Sequence, residues 1–146
     1  MEGSSKMSDQ RNPESSEEAI QVGQRDIFEK FGILFTDVKE GRASSEMTLK
    51  PQHRNVYGMP YGGIMFHLAD ITSGMAFLSA GGNGVTVSGN VNFLRGADPD
   101  AKKLACHAVV KKAGKNLFFI DADISDDSGS VLSEYSFVFT NLSKET

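Results

Sequence analysis

Between Arg54 and Arg95 lie forty residues, and Asp70 is the only charged one among them. Within that stretch Ile64, Leu68, Ile71, Met75 and Leu78 recur at spacings of four, three, four and three, which places them along one stripe of a helix. Their neighbours Met65, Phe66, Ala69, Ala76 and Phe77 are also apolar, so the pattern predicts one long helix over residues 61–80, buried on most sides. Gly81-Gly82-Asn83-Gly84 ends it, because glycine and asparagine tolerate the left-handed backbone of a helix terminus. Such a helix must be wrapped by the rest of the chain.

The flanking sequence supplies the wrapping. Ser16 is a candidate N-cap, Ile20, Ile27, Phe28 and Phe31 follow near helical spacing, and Gly32 is a stop, which together predict a short helix from Glu17. Residues 33–38 and 43–50 read as a hairpin around Lys39-Glu40-Gly41. After the long helix, residues 85–94, 104–113, 117–125 and 131–141 read as four strands, separated by turn residues at Gly96-Ala97-Asp98-Pro99-Asp100, Gly114-Lys115-Asn116 and Asp126-Asp127-Ser128-Gly129. Short connections favour an antiparallel meander. The expected class is α+β, an antiparallel sheet wrapped around one long central helix.

With 146 residues, one domain is expected, over residues 19–146. Residues 1–18 hold five acids, two bases and almost no large apolar side chain, and read as a disordered tail. No apolar leader precedes the domain, so no secretory signal is read there. The single cysteine, Cys106, excludes an internal disulfide and any zinc site built on two cysteines, and fits the cytoplasm. From Ala19 onward 14 acids face 13 bases, with no basic run interleaved with aromatics, which argues against nucleic acid. A membrane span over residues 61–80 is disfavoured by Asp70 near its centre. The bases are uneven nonetheless: Arg95, Lys102, Lys103, Lys111, Lys112 and Lys115 against Asp98 and Asp100 give a local +4, either solvated strand ends or a hold on a phosphate-bearing ligand.

Asp70 is the first candidate for chemistry, since a carboxylate in an apolar setting needs a partner or a role. Thr72, Ser73 and His67 are the nearby polar groups that could simply satisfy it. The second candidate is Tyr61-Gly62-Gly63 at the start of the helix, where unpaired backbone N–H groups and the helix dipole favour an oxyanion. At a rise of 1.5 Å per residue, Gly62 and Asp70 stand about 12 Å apart on one helix, too far to act on one carbonyl. Two copies packed antiparallel about a two-fold axis would bring the donor end of one to the acid of the other. His53, His67 and His107 have no metal-ligand spacing, and no metal is expected. Cys106, in an apolar strand, reads as an inert packed thiol.

The run from Asn55 through Tyr61-Gly62-Gly63, Leu68-Ala69-Asp70, Val85-Thr86-Val87 and Asn92-Phe93-Leu94-Arg95, with Gly114-Lys115 beyond, resembles the hotdog-fold acyl-CoA thioesterases of the phenylacetyl-CoA thioesterase type. The family motif is His-Gly-Gly with the catalytic acid eight residues after the first glycine, which maps onto Gly62 and Asp70; Tyr61 stands where the family has histidine. The resemblance implies a hotdog fold and hydrolysis of an acyl- or aryl-acyl-CoA. Asp70 would be general base or nucleophile, and the Gly62 N–H of a second subunit the oxyanion donor. Asn55 would place the water or carbonyl, and Thr86, or failing it Ser88, would support the acid. Tyr61, Gly63, Arg95 and Lys115 would meet the substrate, the basic residues through the phosphates of coenzyme A. No cofactor is implied, and the partner is another copy of the chain, as a dimer or dimer of dimers. Phe66, Met75 and Phe77 point to an aromatic or medium-chain acyl group. The alternatives are a non-catalytic acyl-CoA-binding or regulatory hotdog protein and a hotdog dehydratase or hydratase, which would need an Asp–His pair within the helix and its approach, an arrangement that Asp70 and His67 do not resemble.

Overall fold

A computed structural model describes residues 13–142. Helix α1 (Ser16–Phe31) leads into strands β1 (Ile33–Lys39) and β2 (Arg42–Thr48), a single 3-10 turn (Pro51–His53) and helix α2 (Gly62–Ser79). Strands β3 (Gly84–Phe93), β4 (Lys103–Ala113), β5 (Leu117–Asp126) and β6 (Val131–Asn141) follow. The first helix starts earlier than its apolar pattern predicts, because Ser15, not Ser16, is the cap: its side chain accepts a hydrogen bond from the Glu18 N–H at 3.1 Å. Gly32 ends α1 with φ 69°, in the left-handed region, as expected of a C-terminal glycine. Most of the expected tail, residues 1–12, lies outside the described residues.

All strand pairs are antiparallel, in the order β1-β2-β4-β5-β6-β3. The sheet curls around α2 in the hotdog arrangement that the resemblance implies. One connection departs from a meander. Strands β3 and β4 do not pair; residues 94–102 carry the chain from the sheet edge, where β3 bonds only β6, back to the middle, where β4 joins β2. Nine residues span up to about 30 Å, ample for crossing the two strands between, each about 4.8 Å wide.

The helix face against the sheet is also rotated from the predicted stripe. Met65, Leu68, Ala69, Thr72, Ser73, Met75, Ala76 and Phe77 are buried, Leu68 and Met75 of the predicted stripe among them, whereas Ile64, Ile71 and Leu78 are only partly so. They lie on the next face round, where Ile71 and Leu78 line a small cavity together with Ala19, Gly23 and Ile27 of α1. The predicted stripe and its neighbours are equally apolar, so hydropathy could not choose between them. Strand β5 alternates strictly over its first half, burying Phe118, Ile120 and Ala122 against the helix. Phe77 meets Phe118 and Phe139 at ring distances of 4.9 and 5.0 Å. The buried hydroxyls of Thr72 and Ser45 satisfy each other at 2.6 Å.

Candidate active site

Helix α2 starts without a side-chain cap. Tyr61 has extended backbone (φ -61°, ψ 141°) and its side chain makes no capping bond. The first backbone bonds of the helix run from the Ile64 and Met65 N–H groups to the Tyr61 carbonyl, at 3.1 and 3.2 Å. The Gly62 and Gly63 N–H groups ahead of them have no partner within the helix. They point out at the positive end of the dipole, ready for a carbonyl oxygen or an anion.

The approach to this terminus is a tight loop built on Asn55. Its Oδ1 accepts from the Tyr57 and Met59 N–H groups at 2.9 and 3.1 Å, and its own N–H donates to the Met59 carbonyl at 2.7 Å. The carbonyl end of Asn55 is therefore committed to the loop, and Nδ2 is the end left for a ligand. Asn55, Gly62, Met65 and residues 93–97 line a cleft of about 420 Å³. A Cβ at 62 would stand 2.9 Å from the tip of the Phe93 ring, which is half exposed and would have to turn aside. Arg95 sits on the far wall, its Nη2 donating to the Ser130 hydroxyl at 2.6 Å.

Asp70 lies two turns along α2, on the side facing β3. The Thr86 hydroxyl donates to Asp70 Oδ1 at 2.7 Å. Thr86 precedes a break in the β3–β6 register between residues 86 and 88, and it, not Ser88, is the hydroxyl that reaches the acid. The expectation of a buried carboxylate needs correction: Asp70 is half-buried and Thr86 exposed, because β3 is an edge strand with no neighbour on its outer side. Asp70 bonds Thr86, while His67 packs edge-on against Phe31 at 4.5 Å, so the acid–histidine pair of a hydratase is absent among the described residues.

Five expected neighbours lie elsewhere. Gly63 opens on the opposite flank of the helix, into a larger cavity of about 710 Å³ walled by Phe28, Phe31, Met47, Ile64, His53 and His67. Lys115 sits in the β4–β5 turn, its carbonyl accepting from Asn141 Nδ2 at 3.0 Å. That end of the sheet is about 30 Å from Arg95, the length of β5 at 3.3 Å per residue, so the two bases cannot share a ligand within one chain. Nor do the basic residues form one patch, since β4 carries Lys103 and Lys111 to opposite ends, where they pair with Glu46 and Asp121 at 3.5 and 3.4 Å. Met75 and Phe77 pack in the core, and Phe66 packs on Tyr135 and Phe137, so none of the three lines the cleft.

Burial pushes the Cys106 thiol up to about 12, consistent with an inert packed cysteine. Burial, with the nearby Lys50 charge, holds His53 below the ordinary histidine range. Among the described residues no cluster of His, Cys, Asp and Glu could hold a metal ion, and no helix is long and apolar enough to cross a membrane.

Residues 57–133 match the thioesterase superfamily. The chain belongs to that superfamily. It is 30% identical over 79 residues to an esterase-named protein of Archaeoglobus fulgidus, and spans about half the length of that curated relative, 51%. Among solved structures it is similar to a thioesterase protein of Streptococcus pneumoniae TIGR4 determined with coenzyme A (TM-score 0.77, 22% identity, 88% of this chain and 100% of the other). It is also similar to the E. coli PaaI protein from the phenylacetic acid degradation operon (TM-score 0.76, 24% identity, 84% and 92%). Zebra fish thioesterase superfamily member 2 gives a TM-score of 0.74 at 21% identity, over 88% and 99% of the two chains. At these identities the likeness is one of fold.

Proposed function

We propose that this thioesterase-superfamily protein hydrolyses an acyl-CoA thioester at a site shared between two copies of the chain. The observation that carries this reading is the separation of two complementary half-sites: open backbone donors at Gly62 over the Asn55–Arg95 cleft, and the Asp70–Thr86 pair about 12 Å along the same helix. In one copy Gly62 N–H receives the thioester oxygen, whose negative charge grows as the tetrahedral intermediate forms. In the other, the Asp70 carboxylate takes a proton from the attacking water, or itself attacks the carbonyl carbon; the C–S bond then breaks and the coenzyme A sulfur leaves as thiolate, to be protonated, and on the second route water hydrolyses the acyl-aspartyl anhydride to free acid and restores the carboxylate.

Strand β3 supports the pairing. It is an edge strand that exposes Val85, Val87 and Phe93, with Leu94 exposed just beyond it, a surface that a monomer rarely leaves open. Antiparallel addition of a second β3 sets the start of one strand beside the end of the other. Gly84, at the start, pairs with Asn141, which bonds Lys115. The same pairing therefore carries Lys115 of one copy toward the Arg95 end of the other, where both bases would meet the phosphates of coenzyme A. Tyr61, half exposed beside the open donors, is placed to contact the acyl part. The assembly is a dimer or a dimer of dimers, and the lone buried Cys106 suits a reducing compartment such as the cytoplasm.

A panel of acyl-CoAs assayed by free-thiol release tests the reading. Release from at least one member is expected; tight binding of acyl-CoA without release would instead mark a binding module.

A further inference from the structure

Asp126 closes β5 as the most buried carboxylate among the described residues, 4% exposed, and has no part in the chemistry above. Its two oxygens serve two different segments. Oδ2 accepts from the Asp98 N–H at 2.9 Å, fixing the backbone just beyond Arg95, Gly96 and Ala97, the cleft's far wall. Oδ1 accepts from the Ser128 N–H at 3.0 Å and from the Ser128 hydroxyl. The Ser128 and Ser130 hydroxyls lie 3.2 Å apart, and Ser130 Oγ accepts from Arg95 Nη2 at 2.6 Å. Each hydroxyl has one proton. With the Ser128 proton on Asp126 and the Arg95 proton on Ser130, the order is Arg95 to Ser130 to Ser128 to Asp126.

We infer that Asp126 is a positioning residue for substrate binding: through Ser128 and Ser130 it orients the Arg95 guanidinium, and through Asp98 it holds the wall from which Arg95 projects. The inference rests on the proposed function for the ligand, a phosphate of coenzyme A. A free arginine side chain samples many rotamers, and fixing it in advance removes part of the ordering cost of binding. Burial pushes the Asp126 carboxyl up, but the N–H groups of Asp98, Ser128 and Ser130 and the Ser128 hydroxyl outweigh it, so the group lies below the ordinary aspartate range and serves as an acceptor.

The test is a double-mutant cycle read by titration calorimetry with coenzyme A and by steady-state kinetics. Ser130→Ala, a turn substitution that leaves the core untouched, and Asp126→Asn should each weaken coenzyme A binding and raise KM about three- to tenfold with kcat unchanged. In an Arg95→Ala background neither should weaken binding further. Losses that add to that of Arg95→Ala, or unchanged affinity in Ser130→Ala, would overturn the inference. Failure of the wild-type protein to bind coenzyme A at all would instead remove the proposed function on which it rests.

Discussion

The Thr86 hydroxyl donates to Asp70 Oδ1 across 2.7 Å, tying the edge strand β3 to the central helix. One carboxylate oxygen is thereby occupied and the other has no partner among the described residues, which fixes the direction from which a water or a carbonyl carbon can approach. Removing the donor with Thr86→Val should cut kcat about tenfold or more while the fold survives, the usual scale for a hydrogen bond to a charged group. Thr86→Ser keeps the hydroxyl and should retain most activity. Equal losses in both variants would show that packing, not the hydrogen bond, matters at this position.

Tyr61 stands at the start of α2 where the motif resemblance implies a histidine, and its side chain makes no capping bond. Its influence should be steric and positional. Tyr61→His should change which acyl group is preferred, and Tyr61→Phe should cost less than Asp70→Asn, as compared on one acyl-CoA panel. A Tyr61→Phe variant as inactive as Asp70→Asn would make the phenol a catalytic group.

The shared site predicts complementation. Asp70→Asn removes the acid, and Gly62→Pro removes the donor at the first helical position, where proline is tolerated by the helix backbone. Each homodimer should be nearly inactive. Random mixing of the two chains by co-expression should restore about a quarter of wild-type activity, because half of the dimers would then carry one intact site of two. No recovery in a mixture that forms mixed dimers would place donor and acid within one chain.

Much of this architecture is legible in the sequence, for identifiable reasons. Both helices and all six strands follow from periodicity and turn residues, because a charge-free run such as residues 55–69 has few ways to satisfy itself. Gly62, Asp70 and Thr86 are legible from motif order, and the structure joins Thr86 to Asp70. What escapes is non-local. Nothing in residues 94–102 says that they cross the sheet, so the exposure of Asp70 beside an edge strand could not be foreseen. The separation of Lys115 from Arg95 escapes for the same reason, since twenty residues of sequence become opposite ends of a sheet. The 710 Å³ cavity depends on how α1 docks, and only Phe28 and Phe31 hinted at an apolar surface there. Asp126 reads in sequence as one acid of a turn; its role appears only when Asp98, Ser128 and Ser130 converge on it.

Asp126 also predicts an acid sensitivity. Its folded pKa is depressed, so its contribution to stability is fully present above the ordinary aspartate value of about 3.9 and is lost as pH falls through the lower folded value. Urea unfolding across that window should show Asp126→Asn less stable than wild type near neutral pH, with the gap narrowing as the medium is acidified. A gap that stays constant down to the folded pKa would separate the effect of the substitution from the ionisation of this carboxylate.

The most direct measurement is free-thiol release from a panel of acyl-CoAs by the wild-type protein and by Asp70→Asn, which keeps the shape of the side chain and removes its basicity. Wild-type protein should release coenzyme A from at least one member, and Asp70→Asn should lower that turnover about a hundredfold or more at unchanged secondary structure. Turnover of Asp70→Asn within a few-fold of wild type, or no release from any acyl-CoA by a correctly folded wild-type protein, would contradict the account.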